Sequence, residues 1–106
     1  MQVDVLGTTY SIEESDKSKD RDLEDSDGYC DFISKSIVIN TFKEEPGNVK
    51  DLDNYRKKVL RHELIHAFLY ESGLDACSWG IKEEIVDWIA LQFPKMMKIF
   101  EESKCL

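Results

Sequence analysis

The sequence predicts an α+β fold: a small, twisted sheet of about three strands, packed against helices that follow it in the chain. Three observations carry this. Residues of high β propensity gather in three short runs before residue 41. A turn-forming break, EEPGN at 44–48, comes next. Beyond it the apolar residues recur at spacings of three and four, which is helical. Strands gathered in one part of a chain and helices in another are the mark of an α+β layer arrangement.

The elements follow in order. QVDVLGTTYSI, residues 2–12, reads as one strand. ESDKSKDRDLEDSDG, residues 14–28, is a charged, solvated connection with room for one helical turn and a single large apolar residue, Leu23. Its spaced aspartates do not make a calcium loop, because no register places a glycine at the sixth position. YCDFI (29–33) and SIVIN (36–40) form a hairpin about Ser34-Lys35. SIVIN carries bulk on both faces and is expected to be covered by helices. Asn48 and Asp51 resemble a capped helix start, and a helix is expected over 51–72, stopped by Gly73. A second helix starts near Gly80 and runs through IKEEIVDWIALQF. Pro94 is expected to end or kink it, leaving PKMMKIFEESK as a separate final helix.

With 106 residues and 42% hydrophobic content, one globular domain over 1–106 is expected. The net charge of −8 and the lack of a basic stripe argue against nucleic acid as a partner. No apolar stretch approaches the ~20 residues that span a membrane, and the N-terminus has no signal-peptide pattern. The three cysteines, Cys30, Cys77 and Cys105, form no CxxC, and reduced thiols in the cytoplasm are expected. Oligomeric state is not legible.

The chemistry concentrates in VLRHELIHAF, residues 59–68. The chain has two histidines, His62 and His66, both here and four apart, with Glu63 after the first. Four residues on a helix is one turn, so the two imidazoles project together and can share a cation at about 2 Å each. Glu63 lies roughly 100° around the helix, within reach of a water on that cation without ligating it. Scattering these residues at random would produce HExxH roughly once in 500 shuffles, so coincidence is a weak explanation.

A third protein ligand is expected. Leu69 and Ser72 stand where the longer HExxHxxGxxH pattern needs glycine and histidine, and Glu71 lies on the wrong side of the helix. Asp75 and Cys77 lie in the loop beyond Gly73; Glu83 and Glu84 open the second helix. Glu83 is favoured over Glu84, because Asp87 lies one turn along its face and can accept a hydrogen bond from a ligating imidazole. Glu84 has Trp88 there instead.

These residues carry a resemblance. VLRHELIHAF resembles the active-site helix of zincin metallopeptidases. EEIVDWIA, 83–90, resembles the glutamate helix of gluzincins, in which a ligating Glu precedes a supporting Asp or Asn by four. More narrowly, the layout is similar to the short metallopeptidase-like proteins of phages and mobile elements related to the ImmA/IrrE family, through Gly28–Asp31, Ile37–Ile39 and Arg61–Leu74. The resemblance spans roughly residues 28–92 and implies a minimal zincin-like fold. It also implies one Zn²⁺ on His62, His66 and Glu83, with Glu63 as general base. An exposed edge strand near 29–33 would pair with an extended protein or peptide substrate, such as a regulator from the same mobile element. The helix that usually precedes the sheet in that family, and any DNA-binding or sensor domain, are not expected here.

Two functions follow. The leading one is a zinc-dependent peptidase. The alternative is a catalytically silent zinc-binding interaction module whose metal site is closed, with Cys77 as fourth ligand or reversible latch. Tyr55 and Tyr70 flank the site in sequence and read as packed aromatics, so no group is assigned to steady the oxyanion.

Overall fold

The computed structural model of the protein describes residues 1–43, 50–76 and 79–106. Its first run is two strands, β1 (Gln2–Val5) and β2 (Thr8–Ser15), not one. Leu6 and Gly7 both take left-handed conformations, φ 50° and 92°, as a two-residue hairpin turn requires. Asp4 Oδ1 accepts the Gly7 amide at 2.6 Å, and Val5 pairs with Thr8 across the turn. Leu-Gly lacks the Asn or Asp that usually marks such a turn, which is why the β-prone run looked unbroken.

The second hairpin lies where the sequence places it. β3 (Gly28–Asp31) and β4 (Ser36–Asn40) pair antiparallel. Asp31 Oδ1 accepts the Ile33 and Ser34 amides at 2.9 and 3.2 Å, and Lys35 closes the turn at φ 56°. β3 ends before Phe32, whose ring stacks on Tyr70 at 4.3 Å. β2 runs parallel to β4, so the sheet is mixed and four-stranded, in the order β1-β2-β4-β3. Ile37, Val38 and Ile39 are all buried, so β4 is covered on both faces. The acidic connection holds one 3-10 turn, Arg21–Leu23, capped by Asp20 and anchored by buried Leu23.

α1 (Leu52–Glu71) begins at Asp51, whose carboxylate accepts the Asn54 amide at 3.3 Å. The expected turn at 44–48, and Asn48 with it, lie outside the described residues. At the other end Gly73 (φ 77°) lets the Leu74 amide return to the Leu69 carbonyl at 2.8 Å, while its own amide reaches Tyr70 at 3.0 Å. Val59, Glu63 and Ala67 form the buried stripe of α1, with Val59 and Ala67 joining Tyr10, Ile37 and Ile39 in the core. Gly28 allows close seating: a Cβ there would lie 3.1 Å from Val59 Cγ1 and 3.0 Å from the Val38 carbonyl oxygen.

Glu71 pins the end of α1 to the sheet. Its carboxylate accepts from Thr8 Oγ1 at 2.9 Å, Tyr10 OH at 2.6 Å and Lys35 Nζ at 2.9 Å. The Tyr10 and Lys35 bonds hold its pKa down to about 2.

α2 (Glu83–Glu102) packs on α1 through buried Val86 and Ala90. It passes unbroken through Pro94, which corrects the expectation of a separate final helix. Proline removes one amide donor and crowds the carbonyl four residues back. That carbonyl, of Ala90, has a donor from outside the helix: Arg61 Nε at 2.6 Å.

Two outcomes test this packing. Gly28→Ala is expected to destabilise the protein by about 1–3 kcal/mol in chemical denaturation, through overpacking against Val59. The Glu71 pKa is depressed on folding, so the stability it contributes is present above the ordinary carboxylate range and lost as pH falls toward about 2. The stability gap between wild type and Glu71→Gln is therefore expected to be full near neutrality and to shrink steadily below about pH 4.5.

Candidate metal centre

His62 and His66 project from α1 toward the first turn of α2. Their Nε2 atoms lie 3.2 Å apart. Glu83, the first residue of α2, straddles them: Oε2 is 2.8 Å from His62 Nε2 and Oε1 is 2.8 Å from His66 Nε2. Among the described residues this trio is the one group whose donor atoms all lie within 4.8 Å of one another. Glu84, one position on, is exposed and outside the group.

This donor set fits a cation. Ligand atoms about 2 Å from a tetrahedral zinc stand roughly 3.3 Å apart, close to the spacing of the two imidazoles. Two Nε2 atoms in mutual contact cannot both carry a proton toward each other, and with neutral imidazoles their lone pairs could converge on one ion. Asp87 Oδ1 is 3.1 Å from His62 Nδ1, and a proton held there would leave Nε2 to a cation shared with Glu83. Lys58 also bonds Asp87 Oδ1 and is the main reason its carboxyl lies below the usual range, with burial opposing and His62 adding to the effect. Burial pushes the His66 imidazole toward its neutral form, against the pull of Glu83.

Glu63 is the one buried charged side chain among the described residues, at 8% exposure. Burial pushes its pKa up to about 7; His62 opposes this and Glu83 adds to it. A cation on the neighbouring histidines would draw it back down.

The return of α2 depends on glycine. A Cβ at Gly80 would lie 2.0 Å from the Leu74 carbonyl oxygen, so the loop closes this tightly only without a side chain there. Cys77, the suggested fourth ligand or latch, lies outside the described residues. Glu71 is committed to the sheet, as its position on the helix required.

A cavity of about 250 Å³ opens beside the trio, walled by His62, Glu63, Glu83 and Asp87 on the helices and by Asp27 and Gly28 on the sheet side. Ser26, Tyr55, Lys58 and Val59 complete it, and the Tyr55 hydroxyl donates to Asp27. Tyr70 instead stacks on Phe32. A larger cavity of about 570 Å³ lies on the other side of Ser26 and Asp27, against Asn40–Lys43, and gathers no comparable donor group among the described residues. Sequence reasoning passed over Lys58, although it lies one turn before His62 on the same face. The Tyr55–Asp27 contact had no local signal, because it joins positions 28 apart.

β3 lies at the sheet edge beside α1. The Asn40 amide bonds the Asp27 carbonyl at 2.8 Å, and the alternation of an antiparallel ladder then turns the amides and carbonyls of Gly28 and Cys30 away from β4. An edge strand alongside an HExxH helix, with a glutamate delivered from a second helix, defines a metallopeptidase-like domain. The family comparison agrees: residues 12–103 match the model for BSP, described as a peptidase of plants and bacteria, and the chain belongs to that family. No curated protein and no solved structure matches it.

Zinc titration separates the two adjacent glutamates. Glu83→Gln is expected to weaken zinc binding by more than about 100-fold, and Asp87→Asn by the ~10–100-fold typical of a group that orients a ligand. Glu84→Gln should bind as wild type does.

Proposed function

We propose that the protein is a zinc-dependent peptidase of the gluzincin type, in which His62, His66 and Glu83 hold one Zn²⁺ and Glu63 is the general base. The convergence of both Glu83 oxygens on the two imidazole Nε2 atoms carries this reading. His62, His66 and Glu83 would hold the ion, which would there supply a Lewis acid to polarise the scissile carbonyl and acidify water. The rest of the work belongs to the chain. Glu63, buried beside His62, accepts a proton from the attacking water and returns it to the departing amine. Asp87 keeps the His62 proton on Nδ1. The outward amide of Gly28 and the amide and carbonyl of Cys30 align an extended substrate as an added strand.

The substrate class is protein or peptide, as the family description supports and as a net charge of −8 favours over nucleic acid. Kinship with the short mobile-element proteins related to the ImmA/IrrE family rests on segments 28–31, 37–39 and 61–74, which supply β3, the centre of β4 and the second half of α1 with its exit turn.

The test is a comparison of wild type, Glu63→Gln and His62→Ala for bound zinc and for cleavage of fluorescently labelled casein. Glu63→Gln is expected to retain stoichiometric zinc while losing about 10²–10⁴-fold in rate, the usual worth of a general base. His62→Ala is expected to lose both. Equal cleavage by Glu63→Gln and wild type would sink the mechanism.

A further inference from the structure

Pro94 sits inside α2 and has no N–H to give to the Ala90 carbonyl, four residues back. Ala90 is fully buried, so water cannot take the place of that donor. Arg61 Nε supplies it from the neighbouring helix at 2.6 Å. The two ends of this bond are well placed. Arg61 immediately precedes His62. Glu83, Asp87, Ala90 and Pro94 follow one another at spacings of four, three and four, which is a single stripe of α2.

We infer that Arg61 and Pro94 work as a pair: the proline frees a buried carbonyl, and the arginine uses it to lock α2 on α1 with Glu83 against His62 and His66. Arg61 is thus a positioning residue. The inference rests on the metal-site reading of that trio. Near the start of α2 the helix is tied to α1 by Lys58 and His62, both bound to Asp87. The Arg61 bond adds a second tie two turns beyond Glu83, roughly 10 Å along the axis. One tie permits α2 to pivot; two fix its roll and its slide. A slip of a single turn would carry Glu83 about 5.4 Å from the imidazoles. An ordinary helix offers no free carbonyl at such a point. A charged guanidinium also makes a stronger bond than a neutral donor.

The experiment uses the full chain as wild type, Arg61→Met, Pro94→Ala, the double variant and Glu83→Gln, with Co²⁺ as probe. Affinity and the visible spectrum report the coordination sphere, and hydrogen exchange of the α2 amides in metal-free protein reports the helix docking. Arg61→Met is expected to weaken Co²⁺ binding about tenfold or more and to shift the spectrum toward that of Glu83→Gln. Pro94→Ala returns the Ala90 carbonyl to its own helix and is expected to weaken Co²⁺ binding in the same direction, by no more than Arg61→Met does. The double variant is expected to lose no more affinity or exchange protection than Arg61→Met alone, because both changes remove the same tie. An Arg61→Met protein that is less stable but keeps wild-type affinity and spectrum overturns the positioning role. Additive losses in the double variant overturn the pairing. If wild type takes up no Co²⁺ or Zn²⁺, the metal reading fails. The Arg61–Pro94 pair is then decided by exchange: protection lost in Arg61→Met and lost no further in the double variant upholds it, and unchanged protection refutes it.

Discussion

The seating of α1 on β3 and β4 is the contact from which the rest of the site follows. Val59, Glu63 and Ala67 lie four apart and face the sheet, so the neighbouring stripe of the helix, with His62 and His66, stands at the rim. The same rotation buries the proposed base and leaves the imidazoles accessible to α2. A turn of the helix by one residue, about 100°, would exchange these roles. Close approach at Gly28, the Asp51 cap and the three bonds to Glu71 hold that rotation at the middle and both ends.

Around the trio the electrostatics are lopsided. Glu63, Glu83, Asp87 and Asp27 border one small cavity, against a single lysine, Lys58. Of the four, Glu63 alone is buried, and burial, with Glu83 adding to it, pushes its carboxyl up. Lys58 serves Asp87, Tyr55 donates to Asp27, and the gap between the imidazoles suits a divalent ion. The polar groups around the trio are therefore arranged as a candidate metal site would require.

Much of this was legible in the chain, for reasons specific to each element. His62, Glu63 and His66 declare themselves because helical spacing converts directly into geometry. Glu83 was preferred to Glu84 through the spacing to Asp87, and both contacts to His62 are present. The misreadings arose where a local rule was overruled by a distant partner or by unusual turn chemistry. Pro94 breaks helices in isolation, but Arg61, 33 positions earlier, repairs the lost bond. Leu6-Gly7 turns a hairpin without the usual Asn or Asp. Gly80, near the expected start of the second helix, lies in the turn before Glu83, where its lack of a side chain lets it pass the Leu74 carbonyl.

The shortness of β3 has its own consequence. Four residues, of which two face outward, would give an incoming chain three open main-chain groups to grip, since the Gly28 carbonyl already accepts from Ser26 Oγ at 3.0 Å. Each substrate residue held straight surrenders about 1–2 kcal/mol of backbone freedom. If β3 receives substrate as proposed, so short a grip suits chains already extended or locally frayed. Selectivity on this edge would then be governed by when a target loosens as much as by which side chains it carries, and the rate of cutting would follow the target's own conformational fluctuations.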